Sequence, residues 1–379
     1  MQWVSTLKGN LAMTTTCSIL GKWFSRAAFI PWSRATDGVR VCATHCLVAL
    51  RLIVMTMTMT MTMTTASVAW AGNEMTNSTA VASNKAVFLI VDGIPADVIE
   101  RVFTPNLDAI AKVGGYTRAE VGGPLNDPAE TPTVSAPGYM SLVTGTWANK
   151  HNVYGNADLA PNYDYWNLFR LAKAVEPPLE TGIFSTWTDN RTILLGAGLA
   201  DAGGVTIDFV ADGFETDPQR FPHAPQDRHI QAIDRHVAAE AARVIEQHGP
   251  DLSWVYLQYT DDVGHALGDS PELDAAVEVM DQLVGTVWSA VQARAATQSE
   301  DWLILVTTDH GRDLHTGKDH GGQSERERTT WMVTNSQRLL PSFYQRPAIV
   351  DIYPSLARHL RIPVPASVAA SLDGRSFIE

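Results

Sequence analysis

The sequence predicts an α/β fold, a doubly wound and mostly parallel sheet sandwiched between helices. Three observations predict it. Short, nearly continuous apolar runs recur along the chain, helical patterns fill the intervals, and a polar cluster follows three of the runs directly. Apolar runs of this kind suit parallel strands covered on both faces. Function in such sheets gathers outside the carboxyl ends of the strands.

Taken in order, residues 86–91 (AVFLIV), 182–187, 253–259 (SWVYLQY) and 302–307 (WLILVT) read as buried strands. Residues 104–113, about 138–144, 228–247 and 271–295 read as helices. In the last of these, Pro271-Glu272 makes a first turn, and Val277, Met280, Val284, Val287 and Trp288 form the apolar face. Strand–helix alternation without a linker-like break points to one catalytic domain over residues 72–379.

The chain has 379 residues, 45% of them hydrophobic, which suffices for a large core. Its net charge of −13 excludes the basic stripe of a nucleic-acid-binding surface. An acidic protein that acts on an anionic small molecule must supply positive potential locally, and bound cations do this.

Residues 1–71 differ from the rest. They hold Lys8, Lys22, Arg26, Arg34, Arg40 and Arg51 against one acid, Asp37. An apolar, threonine-diluted stretch from Leu47 to Val68 follows and ends in Ala69-Trp70-Ala71. This is the pattern of a secretory signal peptide cleaved after Ala71, which places the product in the periplasm or outside the cell. The region is long for a signal, and Met55 offers a later start. If uncleaved, it would be the chain's only membrane contact. All three cysteines (Cys17, Cys42 and Cys46) lie there, so the mature chain has no disulfide, thiolate ligand or cysteine nucleophile.

Metal ligands must therefore be His, Asp and Glu. Asp92 follows the first strand. Asp261-Asp262-Val263-Gly264-His265 follows the third, and its Asp261 and His265 can converge on one ion if the segment turns, which Gly264 permits. Asp309-His310-Gly311 follows the fourth, where an unpaired charge is costly. Ten positions later His320-Gly321-Gly322 offers another imidazole, in competition with His315. Ser135 lies just before Pro137, and the same position suits a helix N-cap or a hydroxyl nucleophile at a phosphate-binding helix terminus.

The order of these residues resembles the alkaline phosphatase superfamily, in particular the type I phosphodiesterase/nucleotide pyrophosphatase group, over about residues 85–377. The resemblance implies two divalent ions, zinc being expected. Asp92, Asp309, His310 and Ser135 would hold one ion, and Asp261, His265 and His320 the other. Ser135 would be the nucleophile toward a small phosphate ester. The stretch from Thr144-Gly145 to His151-Asn152-Val153 resembles the family's T-G-x-x-x-x-x-H-G-V and places Asn156 as a phosphoryl-oxygen ligand. The backbone N–H after Ser135 is expected to help. Ser135 replaces the usual Thr, and His320-Gly321-Gly322-Gln323-Ser324-Glu325 looks more like phosphoethanolamine-transferring relatives. A sulfatase reading fails because Tyr139 stands where C/S-x-P-x-R needs Arg. A monoesterase would need an arginine at the phosphate, and Arg312 and Arg326 are the candidates.

Overall fold

The computed structural model describes residues 83–379, which belong to one compact unit. The expected signal region, residues 1–71, lies outside the described residues. Seven strands form one sheet: β1 (Ser83–Val91), β2 (Gly115–Glu120), β3 (Thr181–Ser185), β4 (Phe209–Ala211), β5 (Leu252–Leu257), β6 (Glu300–Thr307) and β7 (Thr329–Thr334). Their order is β2-β7-β6-β1-β5-β3-β4. β1 pairs in parallel with β5 and β6, and β3 with β5 and β4. β7 runs antiparallel to both β6 and β2. The mostly parallel sheet is as expected, and the antiparallel edge formed by β2 and β7 was not read from sequence.

Period-two alternation sorts each central strand onto two faces. Ala86, Phe88 and Ile90 join Trp254, Tyr256, Leu303 and Leu305 in one core layer. Val87, Leu89 and Val91 join Val255, Leu257, Ile304 and Val306 in the other. Both faces being buried explains why the strands are apolar throughout rather than alternating. Helices α1 (Pro105–Val113), α3 (Arg228–Gln247) and α5 (Pro271–Thr297) cover the second face. Helices α2 (Ser135–Thr144) and α6 (Ile352–His359) cover the first.

Two boundaries differ from expectation in a way that matters. The third predicted strand stops at Leu257, and Tyr259 opens a helix, α4 (Tyr259–Leu267). Its N-terminus has no side-chain cap of its own. Asp234 of α3 caps it instead, accepting from the Gln258 and Tyr259 amides at 3.0 and 2.9 Å and from Thr186 Oγ1 at 2.6 Å. Burial raises this carboxyl to about 6. Similarly, Asp281 of α5 accepts from the Asn106 and Leu107 amides that begin α1. Long-range caps of this kind fix helix starts that local sequence does not signal.

β1 lies where the strand order reverses, between β5 and β6. The carboxyl ends of these three strands therefore bound the crevice in which a doubly wound sheet carries its site. Asp234→Ala would leave two amides at the start of α4 without an acceptor. It should lower unfolding free energy by about 2–3 kcal/mol, measured by urea denaturation.

Candidate metal centre

Asp92 is the first residue after β1, and the strand's alternation turns it toward the α2 face. There Tyr139 of α2 and Tyr256 of β5 both donate to its Oδ2, Tyr256 at 2.6 Å. Its Oδ1 is buried without a hydrogen-bond partner and lies 3.4 Å from His310 Nε2. Asp309, after β6, repeats the arrangement. Its Oδ1 accepts from the Gly93 amide at 3.1 Å, while its buried Oδ2 has no partner and lies 3.3 Å from the same His310 nitrogen.

The His310 ring is fully buried, and its Nδ1 donates to the Gly311 carbonyl at 2.9 Å. A carbonyl only accepts, so the proton sits on Nδ1 and Nε2 presents a lone pair. Two unpartnered carboxylate oxygens and one imidazole lone pair thus converge, with Ser135 Oγ 3.4 Å from His310 Nε2. Such a set repels itself unless a proton or cation intervenes. Burial and neighbouring carboxylates raise the Asp92 carboxyl well above its usual range and the Asp309 carboxyl to about 7. Burial and the neighbouring His320 push His310 well down.

A second group adjoins the first. Asp261 and His265 lie one turn apart in α4, with Asp261 Oδ2 3.3 Å from His265 Nε2. The turn that brings the pair together is a helical one, in which i,i+4 spacing puts both on one face. Gly264 has a different task, because a Cβ there would strike the guanidinium of Arg312. His320 Nε2 lies 3.0 Å from His265 Nε2, and the His320 ring stacks on His310 at 3.7 Å. Its Nδ1 donates to the Thr133 carbonyl at 2.9 Å, leaving Nε2 as the free lone pair. The hydrogen bond that His265 donates to Asp261 raises the His265 pKa, and burial lowers that of His320. His315 is an exposed residue of the connecting loop and belongs to neither group of converging donors. That loop is short because Asp313 accepts the amides of His315, Thr316, Lys318 and Asp319. The Ser324–Glu327 capping box then anchors its far end.

Ser135 is the first residue of α2, and Val134 occupies the cap position without a side-chain bond. The hydroxyl is thus not used as a cap and faces His310. Asn156 Oδ1 accepts from the Ala136 amide at 2.9 Å. The amide expected to face substrate is therefore committed to Asn156, whose own Nδ2 is the donor left to face the crevice. A pocket of about 260 Å³ lies beside Ser135, bordered by Asp92, Asn156, Trp187, Gln258 and Asp261.

The sequence did not disclose the part played by Tyr139, Tyr256 or Arg312, although it marked Arg312 as a candidate phosphate ligand, a role its buried contacts do not leave open. Arg312 is fully buried. It donates to the carbonyls of Gly93 (2.9 Å), Lys318 (3.1 Å) and Asp261 (2.8 Å) and to Asp261 Oδ1. Although burial pushes the Asp261 carboxyl up, its bond to His265 and the Arg312 charge outweigh this and hold it below the usual range. The signal available was an arginine directly after D-H-G, in a strand-end turn too buried for an unpaired cation.

Each carboxylate therefore has one oxygen held by the protein and one turned toward an imidazole. Oxygen and nitrogen donors in two adjacent groups, Asp92/Asp309/His310 and Asp261/His310/His320, fit divalent cations. With this geometry the fold is that of the alkaline phosphatase superfamily. The chain belongs to the type I phosphodiesterase/nucleotide pyrophosphatase family, whose model matches residues 86–361. An uncharacterised pyrophosphatase/phosphodiesterase of Schizosaccharomyces pombe is 23% identical over 63% of this chain and 47% of its own length. Human ectonucleotide pyrophosphatase/phosphodiesterase family member 7 is 26% identical over 61% of this chain and 48% of its own. The chain thus spans about half the length of these curated relatives. The structure of human ectonucleotide pyrophosphatase/phosphodiesterase 5 superposes with a TM-score of 0.54 at 14% identity, covering 74% of this chain and 96% of that one.

Helix α2 is tied to the segment leading to Asn156 by a buried histidine. His151 Nδ1 accepts from the Val153 amide at 3.1 Å, so Nε2–H donates to Ser141 Oγ at 3.2 Å. Burial pushes this imidazole down to about 3. The unfolded chain then binds the proton first as pH falls below about 6.5, so stability is lost toward acid at up to about 1.4 kcal/mol per pH unit. In chelator, His151→Gln should show a smaller loss of urea midpoint than the parent between about pH 7 and about pH 4.5.

Proposed function

We propose that the chain is an exported, two-metal hydrolase of small phosphate diesters or pyrophosphates, with Ser135 Oγ as nucleophile. The observation that carries this reading is the convergence of the unpartnered Asp92 Oδ1 and Asp309 Oδ2 on the His310 lone pair beside the Ser135 hydroxyl. Asp92, Asp309, His310 and Ser135 would hold one divalent cation, and Asp261, His265 and His320 the other. Zinc suits this set of carboxylate and imidazole donors. When bound, such a pair supplies Lewis acidity at both the attacking and the leaving oxygen.

Ser135 releases its proton to solvent and attacks phosphorus in line. The Oγ–P bond forms as the ester P–O bond breaks, and the leaving group takes a proton from solvent. Water then attacks the phosphoserine, restoring the Ser135 hydroxyl and releasing the phosphoryl product. Asn156 can direct its Nδ2–H to a phosphoryl oxygen, because the Ala136 amide fixes its other end.

The commitments of the two candidate arginines favour a diester over a monoester. Arg312 is spent on Asp261 and three carbonyls, and Arg326 on Asp97 and Asp269. Neither is available to neutralise a phosphate dianion, whereas a singly charged diester needs only the Asn156 amide. Export is supported by the basic flank, apolar stretch and Ala69-Trp70-Ala71 site of residues 1–71. N-terminal sequencing of the protein recovered outside the cytoplasm should begin at Gly72.

Ser135→Ala should abolish aryl phosphodiester turnover by at least about a thousandfold while bound metal is retained, as checked by elemental analysis. Chelator should remove activity and zinc should restore it. An aryl diester should turn over faster than the monoester; the reverse order would assign a monoesterase.

A further inference from the structure

The three carboxylates of the centre are not equivalent. Asp92 and Asp309 are held by neutral donors: two tyrosine hydroxyls for the first, the Gly93 amide and Thr308 for the second. Asp261 is held by a cation. Arg312 is the one fully buried guanidinium among the described residues, and it shares Oδ1 of the carboxylate whose Oδ2 faces His265. The fold makes room for it, since a Cβ at Gly93 or at Gly264 would collide with its side chain. The first group thus offers two carboxylate charges with no protein cation in contact. The second offers one, already shared with a permanent positive charge.

Resting on the metal-centre reading above, we propose that Arg312 is a resident counter-cation that makes the Asp261/His265/His320 site the weaker and exchangeable one of the two. It acts in two ways. It pins Asp261 so that a single oxygen remains for the ion, in the ligand position before any ion arrives. It also repels a divalent ion at that oxygen, in an interior where like charges are poorly screened. A weaker hold on that ion leaves more of its Lewis acidity for substrate. Arg312 is therefore a positioning residue, not a substrate ligand. Its task is to set the difference between two sites built from similar donors.

The test is zinc titration of the chelator-stripped, full-length protein by calorimetry. The parent should take up zinc in two unequal steps, and His265→Ala, which alters a ligand of one site only, should remove the weaker. Arg312→Met should tighten that weaker step by at least about tenfold and leave the stronger unchanged. Arg312→Lys, which keeps the charge, should retain the parental inequality. In chelator, Arg312→Met should lower the melting temperature more than it does with zinc bound, which a brace acting equally in both states would not do. If Arg312→Met fails to fold, Arg312→Gln gives the same comparison with a neutral donor. Two steps whose ratio is unchanged or widened by the neutral variant would overturn the proposal alone. A parent that binds no zinc would overturn the metal-centre reading itself.

Discussion

The structure depends on burying three carboxylates, Asp92, Asp261 and Asp309, beside one another at the carboxyl end of a parallel sheet. Water is excluded there, and unpaired anions are costly. The protein answers that cost unevenly. It supplies one internal cation, Arg312, and otherwise only neutral donors, so burial pushes Asp92 and Asp309 toward their protonated forms, aided by Asp309 and Asp261 at Asp92 and by Asp261 at Asp309. A histidine lone pair aimed at both leaves the electrostatics incomplete without a cation. Much else in the fold serves to hold these oxygens in place.

The topology makes that possible. β1, β5 and β6 are neighbours, and the strand order reverses at β1, so three chain segments far apart in sequence end in one crevice. Helix α2 approaches Asp309 closely enough that a Cβ at Gly138 would press on it. One helical turn then separates Ser135, facing His310, from Tyr139, which holds Asp92. The loop from Arg312 to His320 is pulled tight by Asp313, and the Thr133 carbonyl sets the His320 tautomer. At Asp92, Asp309, His310 and His320 the atom left free is thus chosen by a bond to the side chain's other atom.

The parts legible in sequence are those whose signal is local. Apolar runs followed by Asp or Asp-His mark strand ends, and their positions give the sheet's functional edge directly. Asp261 and His265 were legible as a pair but not as a helix. The cap that starts α4 comes from Asp234, outside any window around Gln258. β2 at the sheet's edge and β7 beside it have little apolar run of their own and pair antiparallel, so neither shows the buried-strand pattern in sequence. The roles of Tyr139, Tyr256 and Arg312 were hidden for the same reason: their meaning lies in partners 47, 164 and 51 positions away. A buried arginine implies that polar partners exist, but not which ones.

Two of those residues, Tyr139 and Arg312, also explain how the fold distributes positive charge. Tyr139 stands where a sulfatase-like motif would place an arginine next to the nucleophile, and it spends its hydroxyl on Asp92. Arg312, directly after Asp309-His310-Gly311, spends its charge on Asp261. The protein's own cation thus lies behind the ligands, away from the pocket beside Ser135. On the proposed reading this decides what the pocket accepts. Substrate charge is met by bound cations and by the Asn156 amide, an arrangement matched to a phosphoryl group that carries one negative charge. A second negative charge would need the guanidinium that the structure has committed elsewhere. Moving it forward would release Asp261 and disturb the geometry of the second site. Substrate preference and metal affinity are then two consequences of one placement, and neither can change without the other.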